Sequence, residues 1–113
     1  MRGLRHLPAI ALALPLMACS TARVDERLAY WRAETAAHLP AGTSKPEAEA
    51  FFAARGVPLN CCVSEKRDQW LHVARERDVG YQLWTHYDVV VLVEFSAAQT
   101  VAGVTVQRWG VGL

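Results

Sequence analysis

Eleven residues, Thr85 to Phe95, constrain this chain's fold more than any other stretch. Val89, Val91, Val93 and Phe95 alternate onto one face, and Val90 and Leu92 make the opposite face apolar as well. Valine, β-branched, and phenylalanine, aromatic, both suit a pleated strand. A strand apolar on both sides belongs in the middle of a sheet rather than at its margin. Ser96 to Thr100 forms a five-residue loop, after which Val101 to Trp109 alternates, Val104 and Val106 facing one way and Thr105 and Gln107 the other. Two such runs with a short loop between them read as an antiparallel hairpin. The chain then frays through Gly110 and Gly112.

The segments before this hairpin are less decided. Leu59 to Val63 reads as a short first strand. Trp70 to Arg77 reads as a second, with Leu71 and Val73 on one side and Trp70 and His72 on the other. Its arginines and glutamate suit a helix equally well. Asp78-Val79-Gly80 has the composition of a turn.

The first half of the chain has helical punctuation. Val24, Leu28, Trp31 and Thr35 share one face of a helix expected over 24–38, and Leu39 closes the stripe. Asp25 and Glu26 complement the positive end of the helix dipole, and His38 its negative end. Pro40 and Gly42 then stop it. A second helix, expected over 45–55, opens with a capping box, Ser44 followed by Glu47. Pro46 sits where a missing N–H costs nothing. Ala48, Phe51 and Phe52 make its inward face, and Gly56 and Pro58 end it. Helices first and strands afterwards specify an α+β domain over 24–113. Two N-terminal helices pack on one face of a three- to four-stranded antiparallel sheet.

The N-terminus has a different character. Arg2 and Arg5 precede an apolar run, Leu7 to Met17, of 11 residues. A membrane-crossing helix needs about 20. Pro8 and Pro15 also oppose a stable helix there. Residues 1–18 therefore read as an export signal. Leu16-Met17-Ala18-Cys19 resembles the lipobox of bacterial lipoproteins. The resemblance implies that Cys19 takes a diacylglycerol on its sulfur and becomes the new N-terminus. Residues 19–23 then form a short lipidated tether. Because Ser20 rather than aspartate follows, the resemblance implies the periplasmic face of the outer membrane. The plainer alternative is cleavage after Ala22, with Cys19 discarded; a third reading is an uncleaved anchor. The signal takes two of the 12 basic residues, so the 95-residue remainder has ten against 11 acidic ones, a formal charge of −1. Acidic and basic residues interleave along the chain, and nothing suggests the concentrated basic face of a nucleic-acid binder.

Leu39, the turn Gly42-Thr43-Ser44, Phe52, Gly56 and the Val93–Val106 hairpin together resemble small outer-membrane lipoproteins of the SmpA/OmlA type. The likeness spans Leu39 to Val106 in outline. It implies a non-enzymatic accessory of envelope assembly that binds another envelope protein.

Candidate chemistry is sparse. Cys61 and Cys62 are neighbours in a chain bound for an oxidising space. They read as a redox or disulfide pair, a soft-metal site with His72 or His86, an intermolecular link, or two separate thiols, one buried and one near the surface. Adjacent cysteines lie at the edge of disulfide geometry, and none of the familiar metal-ligand spacings is present, so separate thiols are the plainest reading. His72 and His86 are placed to face one another across strands, but a histidine pair with no third ligand is a weak zinc signal. Ser64, His86 and Asp88 supply the residue types of a hydrolytic triad without a nucleophile elbow. Trp70, Trp84, Tyr81 and Tyr87 gather around the second and third strands. Of these, Trp70, Trp84 and Tyr87 are the candidate partner-binding aromatics, because large amphipathic rings are enriched at interfaces. No cofactor motif is present. The expected function is partner binding by a lipid-anchored envelope protein. The alternatives are an inhibitor or immunity-type protein against an exported enzyme, and then a small periplasmic enzyme.

Overall fold

The computed structural model describes residues 15–66 and 68–112, with residues 15–20 and Glu65 described by their backbone alone. Most of the signal assigned to 1–18 therefore lies outside the described residues. The elements are α1 (Pro15–His38), α2 (Lys45–Ala54), β1 (Asn60–Lys66), β2 (Gln69–Gln82), β3 (Thr85–Phe95) and β4 (Val101–Val111). The strands form one antiparallel sheet in the order β1-β2-β3-β4. Two N-terminal helices pack against it, the α+β arrangement that the sequence specifies.

Helix α1 begins nine residues before the expected Val24. Proline is well suited to a first helical position. From Leu16 to His38 neither glycine nor proline interrupts. The segment expected as a tether, 19–23, is thus part of the helix. Val24, Leu28, Trp31, Thr35 and Leu39 are all buried, as their spacing requires. Trp31 stacks on Phe52 with centroids 6.0 Å apart and donates its indole N–H to Glu76 Oε1 at 3.0 Å.

Helix α2 is capped by Ser44, whose side chain accepts the Glu47 N–H at 3.3 Å. Gly56, at φ 77°, takes the left-handed position after its end. Phe51 and Phe52 are buried beneath it. Arg55 ties the helices together: Nη2 lies 2.8 Å from Glu34 Oε1, and the guanidinium stacks 3.7 Å from the Phe51 ring.

The second strand departs most from expectation. It is strand throughout and longer than 70–77, and Asp78-Val79-Gly80 does not turn. Glu76 pairs with Val89 and Gly80 with Tyr87, so β2 carries extra residues there and bulges. Asp88 Oδ1 accepts the Asp78 N–H at 2.8 Å, satisfying the bulge from inside. The buried Asp88 carboxylate of β3 thus absorbs the turn signal. The chain reverses instead at Leu83-Trp84, because Gln82 pairs with Thr85. At the C-terminal end, Gly110 and Val111 pair with Tyr87 and His86, so β4 does not fray after Trp109.

Strand β3 is buried on both faces. Val89, Val91 and Val93 lie under the helices in the main core. Val90 and Leu92 join Leu71 in a second cluster on the other side, with Val63, Val73 and Trp109 packed around it. The Arg75 guanidinium lies 5.3 Å over the Trp109 ring and closes that cluster. The loops opposite the Leu83-Trp84 turn are knitted by backbone bonds, among them Gly42 N–H to Val101 O at 2.8 Å and Val101 N–H to Thr43 O at 2.7 Å. Among the described residues, no helix is long and apolar enough to cross a membrane.

Candidate functional site

The sheet has two margins, and they differ. β1 is seven residues long, and its pairing with β2 shifts register twice. β4 is 11 residues long and pairs in step with β3 from Gly103 to Val111. Natural edge strands are blunted by charge, proline, bulges or brevity. β4 has one charged residue, Arg108, no proline or lysine, and a single register shift at its start, between Val101 and Gly103. Its Val106 carbonyl points off the edge and accepts Arg32 Nη2 at 3.5 Å. Between this edge and α1 lies a cleft of about 550 Å³, floored by Val101, Val104 and Val106 and walled by Leu39, Ala36 and Thr35. At its start the edge is taken, because Val101 bonds to Gly42 and Thr43; beyond Val101, a backbone edge beside an apolar slot is the arrangement that accepts an added strand. Sequence reasoning gave no site here. The available signal was the near absence of charge from 101 to 111.

Cys61 and Cys62 are not separate thiols: a disulfide joins them, across a cis peptide bond. Strand alternation would send neighbouring side chains to opposite faces. The register shift between Asn60 and Val63 lifts that constraint. Cys62 Sγ lies 3.9 Å from His72 Nδ1, and the His72 ring meets Phe95 edge-on at 4.9 Å. Burial pushes the His72 imidazole below its ordinary pKa, and Lys45 lowers it further, against a smaller upward pull from Glu49. The two sulfurs and the imidazole nitrogen lie within 4.8 Å of one another, which as a dithiol is a soft-metal donor set.

His72 and His86 do not face one another. His72 pairs with Val93 and His86 with Tyr81, nine residues apart along β2. His86 Nε2 lies 3.5 Å from Asp78 Oδ1, and Asp88 is beside them. Asp88 is 2 % exposed, and both its oxygens are engaged, one by the Asp78 N–H and the other by Arg75 Nε at 2.6 Å. Ser64 is on β1, two strands away, and donates to Lys66 O. No hydrolytic constellation forms from these three. Neither the cleft beside β4 nor a smaller one, about 280 Å³, between Lys66 and Glu94 is lined by histidine or cysteine.

The aromatics do not form one patch. Trp70, 67 % exposed, sits at the start of β2; Trp84, 79 % exposed, sits past its end. Strand β2 separates them by roughly 40 Å at ~3.3 Å per residue. Tyr87 is half-buried against the main core, and its hydroxyl donates to Gln82 Oε1 at 3.3 Å. Leu83 and Tyr81, which sequence reasoning did not select as binding residues, are exposed beside Trp84.

No known protein family, curated protein or solved structure matches this chain. The likeness to envelope-assembly lipoproteins therefore rests on its own few residues, and function has to be argued from geometry.

Proposed function

We propose that this protein is a non-enzymatic, lipid-anchored protein of the outer membrane's periplasmic face that binds an extended segment of another envelope protein along β4. One observation carries the reading: a long, nearly uncharged edge strand, in step with its neighbour from Gly103 onward, opens onto an apolar cleft. An incoming strand would gain main-chain hydrogen bonds from β4. Alternate side chains would drop into the slot between Val104 and Leu39. The lipobox resemblance at Cys19 supports the anchor, and the edge strand beside its cleft supports a binding role.

The experiment combines two measurements on protein extracted from envelopes. Intact mass should show a chain beginning at an acylated Cys19, and Cys19→Ala should leave the outer-membrane fraction. An unacylated chain beginning at Arg23 overturns the anchor. Val106→Pro should lose a co-purifying protein that the parent retains. Equal recovery with both chains overturns strand addition.

A further inference from the structure

The turn between β2 and β3 is built against its own local chemistry. Two-residue hairpin turns favour asparagine, aspartate or glycine, because positive φ is required there. This one is Leu83-Trp84, with Leu83 at φ 55°, a conformation uncommon for a bulky residue. Leu83 is 89 % exposed and Trp84 79 % exposed, so neither is placed there by packing. Tyr81 is exposed beside them. An apolar tip on a strained turn reads as a contact surface, since strain persists where function uses it.

The fold shows what the tip faces. Helix α1 runs antiparallel to β4: Gly42, beyond its C-terminal end, bonds to Val101, and Arg32 reaches Val106. Continuing in that direction, the N-terminal part of α1 runs toward the end of β4, where Val111 pairs with His86 beside the turn. Arg27 and Trp31 both donate to Glu76, which sets a common level. From there Cys19 is ten residues up the helix, ~15 Å at 1.5 Å per residue. Glu76 pairs with Val89, four residues from Thr85; with the turn added, the tip is ~17 Å up. The two points lie at about the same height. Residues 19–24, 79–87 and 110–112 make up this end, and the exposed Asp78 carboxylate lies at its margin, 3.5 Å from His86 Nε2. Arg23 is its cation.

We propose that Tyr81, Leu83 and Trp84 enter the lipid interface of the membrane in which Cys19 is anchored, a second contact that orients the domain. The proposal rests on the lipid-anchored reading. Tryptophan and tyrosine favour the headgroup boundary, where a ring is half in hydrocarbon and half wet. The tip itself, Tyr81 to Trp84, carries no carboxylate to repel anionic headgroups. With the anchor and the tip both engaged, the β4 edge stands roughly along the membrane normal and is open to a partner from the side.

The test uses the full acylated chain in vesicles of phosphatidylethanolamine and phosphatidylglycerol, with and without phosphatidylcholine brominated on its acyl chains. Bromine quenches tryptophan that enters the bilayer. The parent should lose emission in the brominated vesicles, and Trp84→Phe should lose severalfold less, because Trp31 is buried in the core, Trp109 lies nearer the Asp88 level and Trp70 is at the other end. Leu83→Asp, which keeps Trp84, should also reduce the quenching severalfold. Equal quenching of parent and Trp84→Phe, or none in either, overturns the tip contact. A photo-crosslinker at position 84 that captures protein in place of lipid overturns it as well. Intact mass, read separately, reports the state of Cys19, so a failed anchor is distinguishable from a failed tip.

Discussion

The two edges of this sheet come from one chain in one fold, yet only one of them is open for business with another strand. β1 is short, shifts register twice and is pinched by the Cys61–Cys62 disulfide. β4 is longer, in step with its neighbour from Gly103 to Val111 and bordered by an apolar cleft. Irregularity is the ordinary protection against unwanted pairing. A chain that breaks one edge along its length and leaves the other regular beyond Val101 treats the two edges differently. The difference is that β4 has a wall behind it, α1, which turns an exposed edge into a slot.

The comparison can be broken most forcefully by removing that wall. Phe52 is fully buried and stacks on Trp31, which holds α1 to the sheet. Phe52→Ala should destabilise the fold by about 3–5 kcal/mol. An unchanged denaturation midpoint would mean that the helices do not brace β4. A smaller effect is expected from the bulge. Asp88→Ala strands Arg75 and the Asp78 N–H, and should cost about 1.5–3 kcal/mol. Asp88→Asn should cost less, because one amide oxygen can still accept. Equal midpoints for the parent and both variants would remove the carboxylate from the account of β2.

The edges themselves come next. The Val106 carbonyl points away from β3, so its N–H points the same way in an antiparallel ladder. Proline at 106 therefore removes an outward donor while sparing the bonds to β3. Val106→Pro should weaken partner binding at least tenfold, about 1.4 kcal/mol, with thermal unfolding little changed. Cys61→Ser combined with Cys62→Ser should leave that binding unaltered. The reverse outcome, binding lost with the serines and kept with the proline, would move the site to β1. The smallest effect belongs to His72. Its folded pKa lies below the ordinary value near 6.5, so the unfolded chain takes up a proton first as pH falls. Stability should therefore decline as pH drops below about 6.5, levelling off once the folded state also protonates. His72→Gln should flatten that part of the melting-temperature profile; an unaltered profile would show that another group is responsible.

Much of the architecture was legible because it depends on local grammar. The Ser44-to-Glu47 cap, Gly56, the Phe51-Phe52 face and the doubly apolar β3 each have a local physical signature, and each lies where that signature indicates. What was illegible depended on a partner distant in sequence. Asp78-Val79-Gly80 has turn composition, but Asp88 accepts the Asp78 N–H and makes the same residues a bulge. Leu83-Trp84 has no turn composition, so the real reversal passed unnoticed. Pro15 argues against a helix interior but not against a helix start, which is how α1 came to begin early. The site was harder still. Strand alternation kept Cys61 and Cys62 apart on paper until a register shift let their sulfurs meet. The openness of β4 is a property of the sheet order, and a single strand's sequence does not contain it.

The most direct test of the account compares the two edges in living cells. A photo-activated amino acid is placed at Ala102 on β4 or at Ser64 on β1, both exposed. After illumination, Ala102 should give one discrete protein adduct, lost when Val106→Pro is added, and Ser64 should give none. Adducts of equal yield from both positions, or from Ser64 alone, would contradict the claim that β4 is where this protein meets its partner.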